Sequence, residues 1–185
     1  MRYPTLTIMS LSSRSSITSF LIILALLPTP NANGQESSAE LGVGAIGLVV
    51  SDLAESKHFY VDILGFSRTG GFSLGEEWSN EAGFSDGKPF SVEVFKLVDS
   101  PTATVLKLAD FSTTRRAELS ENISEFSGAN YLTFNYQNLE DVLSRFEDEG
   151  IKIWGHIVRS NYQVVILRDS DGVFVELVAP PNSDK

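Results

Sequence analysis

The chain has 185 residues, no cysteine, and 24 acidic against 14 basic side chains, for a net charge of −10. This negative excess repels phosphate backbones and anionic headgroups, which excludes nucleic acid and anionic membrane as partners. Without cysteine, the fold rests on its core rather than on disulfides, and lipid attachment through an N-terminal cysteine is excluded.

Residues 1–34 read as a secretory signal peptide. Arg2 and Arg14 are the only charges there, and an apolar run follows from Ile17 to Leu27, broken by Thr18 and Ser19. Pro28, Pro30 and the small residues Ala32-Asn33-Gly34 complete the order that a signal peptidase reads. The run is far below the ~18 to 20 apolar residues that span a bilayer. The sequence therefore predicts export, secreted or periplasmic, with no stable membrane anchor after cleavage. A mature chain starting near Gln35 has 185 − 34 = 151 residues and a charge of 12 − 24 = −12. That is one domain of ordinary size.

Residues 35–40 are a polar, flexible lead-in. Ala45 to Val50 is an apolar run of strand length. Asp52, with Glu55 three residues on, is placed to cap a helix at about 53–64 that carries Leu53, Phe59, Tyr60, Ile63 and Leu64. Gly65 closes it. Turn signals dominate from Thr69 to Lys88, a stretch holding Trp78. Phe90 to Leu97 alternates as a half-buried strand does, and Thr102 to Ala109 supplies another. Phe111 to Gly128 reads as a polar connector containing Arg115 and Arg116; within it, Asn122-Ile123-Ser124 fits the glycosylation sequon. Tyr131 to Tyr136 is a strand, and Asn138 caps a helix at about 139–149 that Gly150 ends. Three more strands follow at Ile151–His156, Tyr162–Leu167 and Val173–Val178, with Asp169-Ser170-Asp171-Gly172 as a hairpin turn. Pro180 and Pro181 end the ordered part.

The chain repeats itself. Ala45 to Phe66 and Tyr131 to Ile151 share an apolar strand, a capped turn, an amphipathic helix and a closing glycine, at an offset of 131 − 45 = 86 residues. VLKLAD from Val105 and VFVELV from Val173 are the matching later strands. A unit this short cannot bury its sheet alone, so two copies are expected to pack as one α+β structure. The expected divisions are a first module at 41–112, a connector at 113–128, a second module at 129–180 and a tail at 181–185. Unit one is longer by (107 − 45) − (176 − 131) = 17 residues, mostly within Thr69–Lys88. A cleft between the two sheets is the expected place for a ligand.

The strings GLVVSDLAESKHFYVDILGF and RDSDGVFVELV resemble the vicinal oxygen chelate superfamily, the glyoxalase, bleomycin resistance and extradiol dioxygenase group. The resemblance implies two βαβββ modules whose mixed sheets curl around a shared cup. It also implies a divalent metal there, held by His or Gln, Glu, His and Glu from the first and last strands of each module. Those four positions fall on Ala45, Lys107, Tyr131 and Glu176. Only Glu176 keeps a ligand type, so no metal set is assigned. A divalent metal is disfavoured as cofactor, and no other cofactor is expected.

Two functions follow. In the first, the cup binds a small organic molecule through Tyr131, Phe134, Phe174, Trp78 and Trp154, with Ala45 in its wall and His156 at its rim. In the second, the protein is a lyase, isomerase or dioxygenase, with Glu176 as base or metal ligand, Lys107 stabilising an enolate and Tyr131 donating a proton. Near-twofold symmetry would bring Lys107 and Glu176 together as a buried pair; a strand register slipped by one would turn them out to water instead. The sequence leaves a homodimer open.

Overall fold

In a computed structural model, residues 44–116, 121–125 and 127–181 are described. The expected signal peptide and lead-in lie outside the described residues, as does the tail beyond Pro181. In the first module, strand β1 (Ala45–Val50) leads to Asp52, whose carboxylate accepts from the N–H groups of Ala54 (2.8 Å) and Glu55 (3.0 Å). Two of the donors that a helix start leaves orphaned are thereby satisfied. Glu55 does not complete a capping box; its carboxylate meets Arg116 at 2.6 Å. Helix α1 (Leu53–Lys57) continues as one wider π-helical stretch, His58–Ile63, closed by Gly65 at φ +87°.

Strands β2 (Ser67–Leu74), β3 (Phe90–Lys96) and β4 (Val105–Asp110) complete the module, with helix α2 (Glu76–Ala82) between β2 and β3. The sheet order is β1-β4-β3-β2, with β1 parallel to β4 and the other pairs antiparallel. The second module repeats this plan with β5 (Tyr131–Asn135), helix α3 (Glu140–Asp148), β6 (Gly155–Val158), β7 (Gln163–Arg168) and β8 (Phe174–Ala179). Its order is β5-β8-β7-β6, again mixed with the parallel pair at the same place. The fold is thus the expected α+β pair of βαβββ modules. The two four-stranded sheets remain separate and do not close into one barrel.

One apolar core serves both modules. It joins Phe59, Tyr60, Ile63 and Phe66 of the first to Leu132, Phe134, Val142 and Phe146 of the second. The rings of Phe66 and Phe134 meet edge to face at 5.0 Å. The helix end of the first module leaves carbonyls without intrahelical donors, and the second module supplies donors. Arg145 Nε donates to the Ile63 carbonyl and Tyr136 Oη to the Leu64 carbonyl, both at 2.7 Å. Among the described residues, no helix is long and apolar enough to cross a membrane.

Candidate functional site

Strand alternation gives each sheet a buried face and an open face. In β5 and β8, Leu132, Phe134, Val175 and Leu177 go to the core, while Tyr131, Thr133, Phe174 and Glu176 take the open face. The register pairs Tyr131 with Phe174 and Thr133 with Glu176. The first module has the same register, with Ala45 against Val105 and Gly47 against Lys107. Ala45 is therefore the counterpart of Tyr131, and Lys107 the counterpart of Glu176.

A cavity of about 520 Å³ opens on the second sheet. Tyr131, Phe174 and Glu176 line it together with Ile166 from β7 and Trp154 just before β6. Val175 and, from the connector, Glu121, Asn122 and Ile123 complete the described part of its wall. Trp154 is seated by its backbone, whose N–H donates to the Ile166 carbonyl at 2.8 Å. Its ring carries Lys152 Nζ at 3.9 Å from the centroid and the Arg168 guanidinium at 4.6 Å. Arg168 also lies over Phe174 at 4.1 Å and donates to the Glu121 carbonyl at 3.2 Å, which ties the connector to the sheet. Glu176 Oε2 accepts from Thr133 Oγ1 at 2.7 Å. No described group meets its other oxygen.

Four of the residues singled out from the sequence thus come together: Tyr131, Trp154, Phe174 and Glu176. The others stand elsewhere. Lys107 and Ala45 belong to the open face of the first sheet and do not line this cavity. No ion pair joins Lys107 to Glu176 among the described residues. Phe134 is buried against Phe66 on the opposite face of β5. His156 pairs in register with fully buried Val165, which puts it on the face away from the cavity, and its Nε2 lies 3.4 Å from Gln163 Oε1. Trp78 sits in α2, edge to face with Phe84 at 5.8 Å and Phe90 at 6.2 Å. Ile166 went unnoticed in the sequence, although its pairing with Glu176 is the signal that would find it. In the polar connector the sequence marked Asn122 and Ile123 only as part of a sequon, and nothing pointed to them or to Glu121 as a cavity wall.

The residues at the four metal-ligand positions do not fit a metal ion. They offer a methyl group, an ammonium, a phenol and one carboxylate. Among the described residues, no group of three or more His, Cys, Asp or Glu side chains could hold one. A lone carboxylate is far short of the several donors that a divalent site needs.

The most recognisable motif has a different task. In the turn after β7, the two oxygens of buried Asp169 divide their partners. Oδ1 accepts from the N–H groups of Asp171 (3.0 Å) and Val173 (2.8 Å), and Oδ2 accepts from Tyr60 Oη (2.8 Å). Asp171 accepts from the N–H and hydroxyl of Ser51, and Ser170 Oγ meets Ser56 Oγ at 3.1 Å. The first repeat's Val-Ser-Asp-Leu and Phe-Tyr segments are thus clasped to the second repeat's Asp-Ser-Asp-Gly turn. Burial pushes the Asp169 carboxyl up from its ordinary pKa, and burial beside that carboxylate pushes the Tyr60 phenol well up.

The chain matches the family model described as the Glyoxalase/Bleomycin resistance protein/Dioxygenase superfamily over residues 42–177. Among solved structures it is similar to a glyoxalase/dioxygenase from Nostoc punctiforme, at 25% identity and a TM-score of 0.54, covering 82% of this chain and 100% of that one. It is also similar to a glyoxalase family protein from Bacillus cereus (18% identity, TM-score 0.61, 80% and 100% covered). A third is a mutant fosfomycin resistance protein from Listeria monocytogenes, complexed with Mn(II) and 1S,2S-dihydroxypropylphosphonic acid (17%, 0.51, 76% and 94%). The latter two likenesses bear on the fold alone. No curated protein matches the chain.

Proposed function

The chain belongs to the glyoxalase, bleomycin resistance protein and dioxygenase superfamily, and within it we propose an exported protein that binds a small organic ligand without a metal ion. The observation that carries this reading is the composition of the second-module cavity. Its volume, about 520 Å³, falls in the range of small-molecule sites, roughly 300 to 1,000 Å³. Its wall is mainly Tyr131, Trp154, Phe174, Ile123 and Ile166, with a few polar groups at fixed places, the pattern that apolar contact plus orientation requires. The donor set at the family's metal positions supports a metal-free mode, since only Glu176 is an ordinary ligand. Export is supported by the signal-peptide pattern of residues 1–34.

Trp154 makes the reading testable. The chain has two tryptophans, so Trp78→Phe leaves Trp154 as the only indole reporter. Bicyclic aromatic probes titrated into tag-free, chelator-treated protein are expected to change its fluorescence with one site per chain. Tyr131→Ala and Phe174→Ala should each weaken the binding about tenfold, the scale of one aromatic contact of ~0.5 to 1.5 kcal/mol plus lost apolar area. Binding that vanished with chelator and returned with a divalent metal would overturn the metal-free reading. Mass spectrometry of protein from its host should find an N-terminus near Gln35; an intact Met1 start in soluble protein would overturn export.

A further inference from the structure

We propose that the ligand of this cavity is a flat aromatic cation whose N–H group is taken by the Glu176 carboxylate, an inference that rests on the binding role just given. Glu176 stands half-buried on the open face, with one oxygen engaged by Thr133 and the other met by no described group. Any ligand that fills the cavity displaces water from that oxygen. A carboxylate stripped of water without a replacement donor carries a desolvation penalty. The incoming molecule must therefore bring a donor, and a charged donor makes the stronger bond.

The charges of the lining point the same way. Among its described lining residues, Glu121 and Glu176 are the only acidic or basic ones, and both are acidic. Arg168 and Lys152 lie against the aromatic rings without lining the cavity. Their positions show that the faces of Trp154 and Phe174 accept positive charge, as ring quadrupoles do. Tyr131, 54% exposed, has no such partner among the described residues and sits one same-face pair from Glu176 on the neighbouring strand. It can stack on the aromatic body while Glu176 holds the nitrogen. Anions meet two carboxylates and a chain of net charge −10, so they are disfavoured both in the site and on approach.

Three bicyclic probes of one size separate the terms: 4-aminoquinoline as the protonated cation at neutral pH, 1-naphthylamine as the neutral amine, and 1-naphthoate as the anion. With Trp154 as reporter, the cation is expected to bind about tenfold more tightly than the neutral amine, with the anion weakest. Glu176→Gln should erase most of that preference, because it weakens the cation far more than the neutral amine. Raising salt should weaken the cation alone, a readout that does not need the variant. Equal affinity for cation and neutral amine, or a preference that survives Glu176→Gln, overturns the cation assignment and leaves the binding role standing. If no probe perturbs Trp154, the binding role fails, and this inference with it.

Discussion

The Tyr60 hydroxyl and the Asp169 carboxylate are buried partners drawn from different modules, 109 residues apart in the chain. Burial raises the Asp169 pKa, and the Tyr60 hydrogen bond is the largest influence pulling it back down. A carboxyl raised in the folded state gives stability that is full below its unfolded value, about 3.9, and is lost as pH climbs through its folded value. Tyr60→Phe keeps the ring and removes the opposing pull, so the loss should extend to higher pH. We expect this variant to be only slightly destabilised near pH 4. By pH 7 the deficit should approach about 1.5 to 3 kcal/mol, the range for a hydrogen bond to a charged group. Urea unfolding across that interval measures it. A deficit of the same size at both ends would mean that the carboxylate does not lean on Tyr60.

At the level of elements, the Asp169–Gly172 turn is a clasp as well as a hairpin. Asp171 accepts from Ser51 N at 3.1 and 3.2 Å and from the Ser51 hydroxyl. Asp171→Ala strands these donors at the end of β1, and we expect a loss of about 1 to 3 kcal/mol. Asp171→Asn keeps an oxygen in place and should lose less. A cycle with Ser51→Ala tests the hydroxyl contact, since directly bonded residues couple by about 0.5 kcal/mol or more; additive losses would show the Ser51 hydroxyl bond to be idle.

Most strands of the repeat were legible from their apolar period, and α1 from its apolar face and its Asp52 cap. Helix α3 was legible from its apolar period alone, because its N-cap is Leu139 and makes no side-chain cap bond, and β6 runs Gly155–Val158, not Ile151–His156. The 69–88 stretch was not legible. Gly71 lies inside β2, where an added Cβ would meet the Val92 carbonyl oxygen at 2.9 Å, so close strand approach demands the glycine that elsewhere signals a turn. Helix α2 has acidic Glu76 and Glu77 in its first turn and Gly83 at φ +71° after its end, but it buries only Ser79 and so lacks an apolar period. The site was half legible for a reason of spacing. Tyr131, Thr133 and Asn135 share a face of β5, whereas Phe134, at an odd step from Tyr131, must face the core. His156 fails on the same count, through its pairing with Val165.

Across the whole molecule, the contacts between modules run through the helices and the buried sheet faces. The core, the Arg145 and Tyr136 bonds to the first helix end, and the turn clasp all lie there. One further exposed link is His58, whose Nδ1 meets Asp62 at 3.1 Å and whose Nε2 meets Glu149 at 3.5 Å; the Asp62 hydrogen bond is the main cause raising its pKa. The open faces carry no contact that joins Lys107 to Glu176. Each of these two is a half-buried residue on its own sheet, with Glu176 held locally by Thr133. Charged residues that do not share a partner usually add in their effects to within about 0.3 to 0.5 kcal/mol. Lys107→Met and Glu176→Gln are therefore expected to show a coupling below about 0.5 kcal/mol in denaturant unfolding, and Lys107→Met should leave 4-aminoquinoline affinity within about twofold. A coupling of roughly 1 kcal/mol or more would mean that the two open faces meet. Repeating the cycle at two protein concentrations then decides where. A coupling that grows with concentration joins Lys107 of one chain to Glu176 of another, and a constant one joins them within a single chain.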